Sequence, residues 1–194
     1  MPTYMGEEEV IKKNMALAQE QVYTVEYMEA LPEDVRAELI DGRLYYMAAP
    51  TRTHQRLIVF LILSIGVYLK EKNCGCQVYP APLALYLDED DHTYLEPDLM
   101  VVCDNSKMDE KGCHGAPDLI AEIVSPSTRS RDYLLKLNKY QSAGVREYWI
   151  LDMEKDVILI YDFGHEKVFS YGWEDKVGSI GFEDLVIDFS GFGR

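Results

Sequence analysis

Two short apolar segments, each carrying one acid, constrain the fold of this chain more than any other feature. Pro97-Asp98 opens the apolar segment 99–102, and Glu122 lies in the middle of the apolar segment 119–124. A charged carboxylate inside a buried strand is costly unless it is paired, hydrogen-bonded or bound to a metal. Two such acids on successive strands, followed by Lys136 and Lys139, predict a divalent-metal site that handles phosphate.

The segment that follows Glu122 has the pattern of a parallel crossover. The apolar strand 119–124 precedes a predicted helix over 130–143. Gly144 follows that helix directly, at the position where a left-handed residue, usually glycine, ends a helix. A further apolar strand occupies 147–151. Strand, helix and strand in this order join parallel strands, nearly always with a right-handed connection. The strand at 119–124 is apolar at nearly every position, which predicts a central place in a sheet.

The remaining patterns predict two hairpins and one long helix. Asp41-Gly42 joins two β-compatible stretches within 37–47, and a second hairpin is expected over 157–171. The apolar run 57–69 is shorter than the 20 or so residues that span a bilayer. We therefore expect a buried core helix, capped by Thr51 or Thr53, and no membrane association.

The chain of 194 residues is long enough for one domain. We expect a single domain over 22–194, preceded by an arm or marginal helix over 1–21. The net charge of −15 is unusual for a nucleic-acid-binding protein, which normally presents a basic surface to phosphates. The segment 126–146, however, holds five basic residues and one acid. It is either a solvated helix face or a patch that contacts phosphate.

The cysteines indicate neither a zinc site nor a secreted protein. Cys74, Cys76, Cys103 and Cys113 include no C-x-x-C pair, so reduced thiols are favoured over a structural zinc site. The acidic N-terminal stretch lacks the apolar core of a secretory signal. Together these features lead us to expect a cytoplasmic protein.

Several longer motifs resemble one bacterial family. They are PDLMVV at 97–102, E-x-V-S-P-S-T at 122–128, D-x-x-x-K at 132–136 and Y-x-x-x-G-V-x-E-Y-W at 140–149. Upstream, YTVEYMEALPE, AELIDGRL and the spacing from Pro50 to His54 fit the same pattern. Over residues 22–192 the chain resembles the Uma2 family (DUF820), restriction-endonuclease-like proteins of the PD-(D/E)XK superfamily. The resemblance implies an α/β fold, with a mixed central sheet flanked by helices.

The resemblance also implies an activity and a set of site residues. The activity is hydrolysis of DNA phosphodiester bonds with Mg²⁺ or Mn²⁺, which favour carboxylate oxygens and water as ligands. Asp98 and Glu122 are the implied metal ligands. Val124 stands where many such nucleases carry lysine. The catalytic cation is then expected to be Lys136 on the following helix, supported by Glu38.

The other predicted site residues are expected to contact substrate: His54, Ser127, Arg129, Arg131 and Lys139. Ser127 follows the strand that carries Glu122, and the three basic residues belong to segment 126–146. Helix capping for His54, and a surface ion pair between Asp132 and Lys136, remain open alternatives.

Two other functions remain open from the sequence. The first is a nuclease fold that binds nucleic acid or protein without cutting, which Val124 and the acidic charge favour. The second is a metal-dependent hydrolase of a small phosphorylated substrate. Because enzymes of this fold often cut both strands as two-fold dimers, we also expect a homodimer.

Overall fold

The computed structural model describes residues 21–32, 34–87 and 91–193, so nearly all of the predicted arm over 1–21 lies outside the described residues. The helices are α1 (Val25–Glu29), α2 (Arg52–Lys72) and α3 (Leu137–Ala143). The strands are β1 (Ala37–Ile40), β2 (Arg43–Tyr46), β3 (Gln77–Pro80), β4 (Ala84–Tyr86), β5 (Leu99–Val102), β6 (Gly112–His114), β7 (Leu119–Ile123), β8 (Glu147–Asp152), β9 (Val157–Asp162), β10 (Lys167–Tyr171), β11 (Lys176–Gly178) and β12 (Val186–Asp188). Short 3₁₀ turns occupy Asn105–Lys107 and Phe189–Phe192.

A mixed six-stranded sheet forms the centre of the fold. Its strand order is β10-β9-β8-β7-β5-β3. β7 and β8 run parallel, and every other neighbouring pair in this sheet is antiparallel. The predicted crossover, the inner position of β7 and the α/β class are therefore confirmed. Two-stranded pairings of β1 with β2, β4 with β6 and β11 with β12 surround the sheet.

Helix α2 packs along one face of the sheet. Thr51 caps it, since its hydroxyl accepts a hydrogen bond from the backbone N–H of His54 at 3.2 Å. The residues buried on its inner face are Leu57, Ile58, Leu61, Ile65 and Leu69. In length and composition α2 would also pass for a membrane span, as core helices of soluble proteins can. Only one of its faces meets the sheet, and Val59, Leu63 and Val67 remain exposed on the other.

The hairpin β1–β2 and helix α3 lie on the opposite side of the sheet. Asp41 and Gly42 form the two-residue turn, with φ of 51° and 75°, as the predicted turn requires. A side chain at Gly42 would also collide with Val22, because an added Cβ would lie 2.5 Å from its Cγ1. This hairpin matters for the site because β1 carries Glu38.

The predicted helix over 130–143 has two different parts. Arg131–Lys136 forms wide π-helical turns, and Leu137–Ala143 continues as α-helix up to Gly144, whose φ is 86°. Asp132, Lys136 and Tyr140 all lie on the buried side, as their spacing predicts. Such π-helical turns are rare and often occur at functional sites.

The expectation of reduced cysteines is wrong for one pair. Cys76 and Cys103 form a disulfide, whereas Cys74 and Cys113 are free. Gln77 pairs with Val102 in the antiparallel ladder of β3 and β5, so the two cysteines face each other just beyond it. The sequence could not reveal this pairing because the cysteines are 27 residues apart and meet only through sheet register.

Candidate active site

Sheet register brings the two predicted acids together. β5 and β7 are antiparallel, and Leu99 pairs with Ala121, so the next position places Asp98 opposite Glu122. The backbone N–H of Asp98 lies 3.5 Å from Oε2 of Glu122. Asp118 belongs to a different environment, since its Oδ2 accepts the backbone N–H of Cys103 at 2.8 Å. Asp118 therefore does not belong to the pair formed by Asp98 and Glu122.

Asp98 is oriented by a helix and a strand. Its Oδ2 accepts the backbone N–H of Ile123 at 2.8 Å and contacts Nε2 of His54 at 3.1 Å. His54 lies in the first turn of α2, so the helix start holds the acid in position. Within the described residues, Oδ1 of Asp98 forms no hydrogen bond, and the buried Nδ1 of His54 has no partner. One carboxylate oxygen is thus available for a ligand.

Lys136 lies between the carboxylates of Glu122 and Glu38. Its Nζ lies 2.7 Å from Glu122 Oε1 and 2.7 Å from Glu38 Oε1. Asp132 Oδ1 is 3.8 Å from the same nitrogen. Lys139 instead pairs with Asp41 at 2.5 Å. Of the two lysines named from the sequence, Lys136 is therefore the one that contacts Glu122.

The site differs from a surface ion-pair network in its burial. The side chains of Glu38, Glu122, Asp132 and Lys136 are each 5% exposed or less. Burying one charge is offset only when a partner with good geometry is present. Here the Lys136 ammonium and the nearby Arg131 guanidinium face Glu38, Glu122, Asp132 and Asp98, so negative charge remains in excess.

Burial and the excess of negative charge raise the pKa of two of these acids. Burial raises the pKa of Glu122 to about 8; Lys136 opposes the rise, and the nearby acids strengthen it. Burial also raises the pKa of Asp132, to about 6. For Lys136, burial lowers the pKa, but the carboxylates around it outweigh this and raise it above its ordinary value. The lysine therefore stays charged, while Glu122 and Asp132 hold their protons to higher pH than ordinary carboxyl groups do.

Two buried tyrosines, Tyr140 and Tyr148, donate hydrogen bonds to the site, and neither was assigned a role from the sequence. The Tyr140 hydroxyl donates to Glu122 Oε1 at 2.8 Å, and the Tyr148 hydroxyl donates to the backbone oxygen of Asp132 at 3.1 Å. Their rings meet edge to face at 4.9 Å between centroids. The spacing of Asp132, Lys136 and Tyr140 along one helix face was the signal that could have identified Tyr140.

The predicted substrate-binding arginines are engaged within the chain. Arg129 donates to both carboxylate oxygens of the buried Asp152, at 3.0 and 3.1 Å, and to Glu154 at 3.0 Å. Arg131 lies 3.7 Å from Glu38 and 5.3 Å above the Tyr45 ring. The structure thus gives both arginines internal partners, and their contact with phosphate stays a prediction.

Ser127 lies on an exposed turn after β7, where its hydroxyl is 3.0 Å from that of Ser125.

The turn forms part of a cleft of about 1120 Å³ that opens above the acids. This central cleft runs between the segment 44–51 on one side and the segment 125–136 on the other. Glu38, His54, Asp98, Glu122 and Lys136 all line it, so it collects most of the predicted site residues.

The donor set of the cleft fits a hard divalent cation. Asp98 offers Oδ1, and Glu122 offers Oε2, whose one hydrogen bond among the described residues is the 3.5 Å one from the Asp98 N–H. Among the described residues the buried Oε2 of Glu38 has no hydrogen-bond partner, and Arg131 Nη1 lies 3.7 Å from it. No three His, Cys, Asp or Glu side chains in the described ranges are arranged to hold an ion by themselves. Mg²⁺ is commonly held by one or two carboxylates and completes its shell with water, which suits this arrangement.

Comparison with known proteins agrees with the fold and the motifs. The model of the Uma2 family, described as "Putative restriction endonuclease", matches residues 24–175. A crystal structure of "a putative nuclease belonging to DUF820" from Anabaena variabilis ATCC 29413 aligns with a TM-score of 0.71. It is 18% identical, and the alignment covers 87% of this chain and 96% of that one. No curated protein matches the chain.

The family match covers well over half of the chain and includes the strands and helices that carry Glu38, Asp98, Glu122 and Lys136. The low identity of the solved structure supports the fold alone. This chain therefore belongs to the Uma2 family of restriction-endonuclease-like proteins.

Proposed function

We propose that this protein is a DNA endonuclease that hydrolyses phosphodiester bonds with Mg²⁺ or Mn²⁺. The observation that carries the proposal is the meeting of Asp98 and Glu122 at the floor of an open cleft, with the Lys136 ammonium 2.7 Å from Glu122. Two acids and one cation are the groups that phosphodiester hydrolysis requires.

Asp98 and Glu122 would hold the ion through Asp98 Oδ1 and Glu122 Oε2. When bound, a divalent ion activates water and neutralises charge that develops on phosphate. His54 keeps the Asp98 carboxylate oriented through its contact with Oδ2. Tyr140 and Lys136 occupy Glu122 Oε1, which leaves the other oxygen of that acid for the ion.

Lys136 would supply the cation that Val124 cannot. An ammonium has three N–H donors; one is donated to Glu122 Oε1 at 2.7 Å, and Glu38 Oε1 lies 2.7 Å from the same nitrogen. A remaining donor would reach a phosphate oxygen or the attacking water. Glu38 would act by holding the ammonium in place, since its Oε1 lies 2.7 Å from Lys136 Nζ and accepts the backbone N–H of Glu96.

The direct test combines metal binding with cleavage. Calorimetry should detect Mn²⁺ binding to the wild-type protein, and Asp98→Asn and Glu122→Gln should each abolish binding and DNA cleavage. Asp118→Asn is the matched control because it changes the same kind of group outside the cleft, and both functions should survive. Mn²⁺ binding unaffected by Asp98→Asn and Glu122→Gln would refute the proposed site.

A nuclease fold that binds without cutting is the second candidate. Val124 at the usual lysine position and the net charge of −15 favour it. It predicts no Mn²⁺ binding and no cleavage by the wild-type protein, so the same calorimetry separates it from the first candidate. We also propose a homodimer, which light scattering at micromolar concentration would detect; a monomer alone would contradict it.

A further inference from the structure

The cations of the central cleft are already paired with acids of the same chain. Within the described residues the cleft is lined by three basic side chains, Arg36, Arg131 and Lys136. Arg36 donates to Glu96 through Nε and Nη2, at 3.0 and 2.6 Å. Arg131 and Lys136 face Glu38, at 3.7 and 2.7 Å. The cleft therefore offers little positive charge with which to grip a row of phosphates.

The cleft walls also carry large exposed aromatic and aliphatic side chains. Tyr46 is 65% exposed at the end of β2, and Leu134 is 61% exposed on the π-helical segment. Leu135 and Met47 extend the same two walls. Grouped exposed apolar side chains with polar surroundings mark candidate binding surfaces, and here they border the charged cleft floor.

These two observations discriminate between forms of DNA. A duplex presents two phosphate backbones and hides the faces of its bases, so a protein that holds it needs free lysines and arginines. A single strand presents base faces, which stack on aromatic side chains and pack on apolar ones. The cleft volume of about 1120 Å³ slightly exceeds the range of about 300–1,000 Å³ typical of small-ligand pockets. It can enclose a few nucleotides.

We propose that the central cleft takes single-stranded DNA, or an unpaired end, with a base stacked on Tyr46 and packed against Leu134. This rests on the proposed nuclease function and specifies its substrate. A base held on the cleft wall would direct the adjoining phosphate towards Asp98 and Glu122. The sugar–phosphate backbone would then make few ionic contacts apart from those at the cleft floor.

The first test measures binding of a labelled 12-nucleotide single strand and of the same sequence as a duplex, by fluorescence anisotropy with Mg²⁺. The single strand should bind more tightly. Its affinity should fall shallowly with salt, with a logarithmic slope of about −0.7 to −1.4 if one or two phosphates are neutralised. Equal or tighter duplex binding would overturn the proposal, and so would a steep salt dependence.

The second test removes the stacking surface. Tyr46→Ala should weaken single-strand binding about 5- to 150-fold, the range expected for one stacked base. Tyr46→Phe should keep most of the affinity, because the ring face remains. Tyr27→Ala is the matched control, since Tyr27 is 40% exposed on α1 and does not line the cleft. Unchanged binding by Tyr46→Ala would overturn the proposal.

Cleavage assays separate this inference from the proposed function. If Mn²⁺ supports cutting of duplex and Tyr46→Ala has no effect, the nuclease stands and the single-strand specificity falls. If the single strand binds through Tyr46 but no divalent ion supports cutting, the binding inference stands and the nuclease falls. A mononucleotide that competes as well as the 12-nucleotide strand would indicate a small phosphorylated substrate and would overturn the inference.

Discussion

The two faces of the central sheet use alternate residues of the same strands for different purposes. On β7, Leu119, Ala121 and Ile123 point to the face covered by α2, where they join an apolar core. Ile120 and Glu122 point to the face covered by α3 and the β1–β2 hairpin. Both faces are closed to solvent at β7, and the one charged residue of this strand, Glu122, lies on the second face.

The two faces of the sheet contribute differently to stability and to the candidate site. Apolar side chains on the α2 face need no particular partner, and their burial is favourable in proportion to the area removed from water. On the opposite face Glu122 is buried and depends on Lys136 and Tyr140 for its hydrogen bonds. A buried ion pair contributes little net stability, but removing one partner from it is expensive. The α2 face therefore stabilises the fold. The α3 face holds buried charged groups that contribute little net stability but form the candidate site.

Lys136→Met should produce the largest change, because it affects both activity and stability. Losing a cation where charge develops should reduce cleavage about 10²–10³-fold. Because Lys136 is 4% exposed and bridges Glu38 and Glu122, its loss should also cost about 3–5 kcal/mol of unfolding free energy above pH 8. Cleavage kinetics and urea denaturation measure the two effects.

The double variant Lys136→Met with Glu122→Gln sharpens this prediction. It should recover much of the lost stability, since one unpaired charge is gone, but none of the activity. If Lys136→Met is as stable as wild type at high pH, the buried network does not depend on the lysine as described.

Leu61→Ala tests the apolar face. Leu61 is fully buried between α2 and the sheet, so the cavity should cost about 2–5 kcal/mol of unfolding free energy. Leu63→Ala provides the matched control, since Leu63 lies two residues along the same helix and is 62% exposed. It should change stability by less than about 0.5 kcal/mol. Neither substitution should alter how stability depends on pH, and a pH-dependent loss in Leu61→Ala would break the comparison.

The charged face should make stability depend on pH in metal-free protein. The pKa of Glu122 is raised to about 8, above its ordinary value of 4.5. A raised carboxyl pKa means that the folded state holds the proton more tightly than the unfolded state does. Its stabilising effect is therefore complete below pH 4.5 and is lost as the pH rises towards 8. The slope for one proton is at most about 1.4 kcal/mol per pH unit.

Denaturation of wild type and Glu122→Gln from pH 5 to 9 measures this effect. Wild type should lose stability relative to the variant as pH rises, and Mn²⁺ should offset the loss by binding the ionised carboxylate. Parallel pH profiles for the two proteins would show that Glu122 does not titrate in this range.

Lys139→Met should have the smallest effect. The Lys139 ammonium pairs with Asp41, whose side chain is 64% exposed, and such pairs contribute about 0–1 kcal/mol. Cleavage should fall less than tenfold, in contrast to Lys136→Met. If Lys139→Met reduced cleavage as much as Lys136→Met does, Lys139 would have to be a catalytic residue.

Much of the fold followed from local patterns. The Asp41-Gly42 turn, the crossover from β7 to β8 and the end of α3 at Gly144 depend on neighbouring residues and on hydrophobic periodicity. The π-helical turns over Arg131–Lys136 and the Cys76–Cys103 disulfide were not predicted. Both depend on packing against segments distant in sequence.

The sequence by itself determined which side chains could form the site. An acid in each of two apolar strands selected Asp98 and Glu122, and the family resemblance selected Lys136 on the following helix. Only the tertiary structure decided how each one is used. The register of β5 against β7 places Asp98 opposite Glu122, and the β1–β2 hairpin brings Glu38 to Lys136. Arg129 was assigned to phosphate from its charge, but the fold pairs it with buried Asp152. Charge is a property of one residue, whereas burial and partners depend on residues that folding brings together from distant parts of the chain.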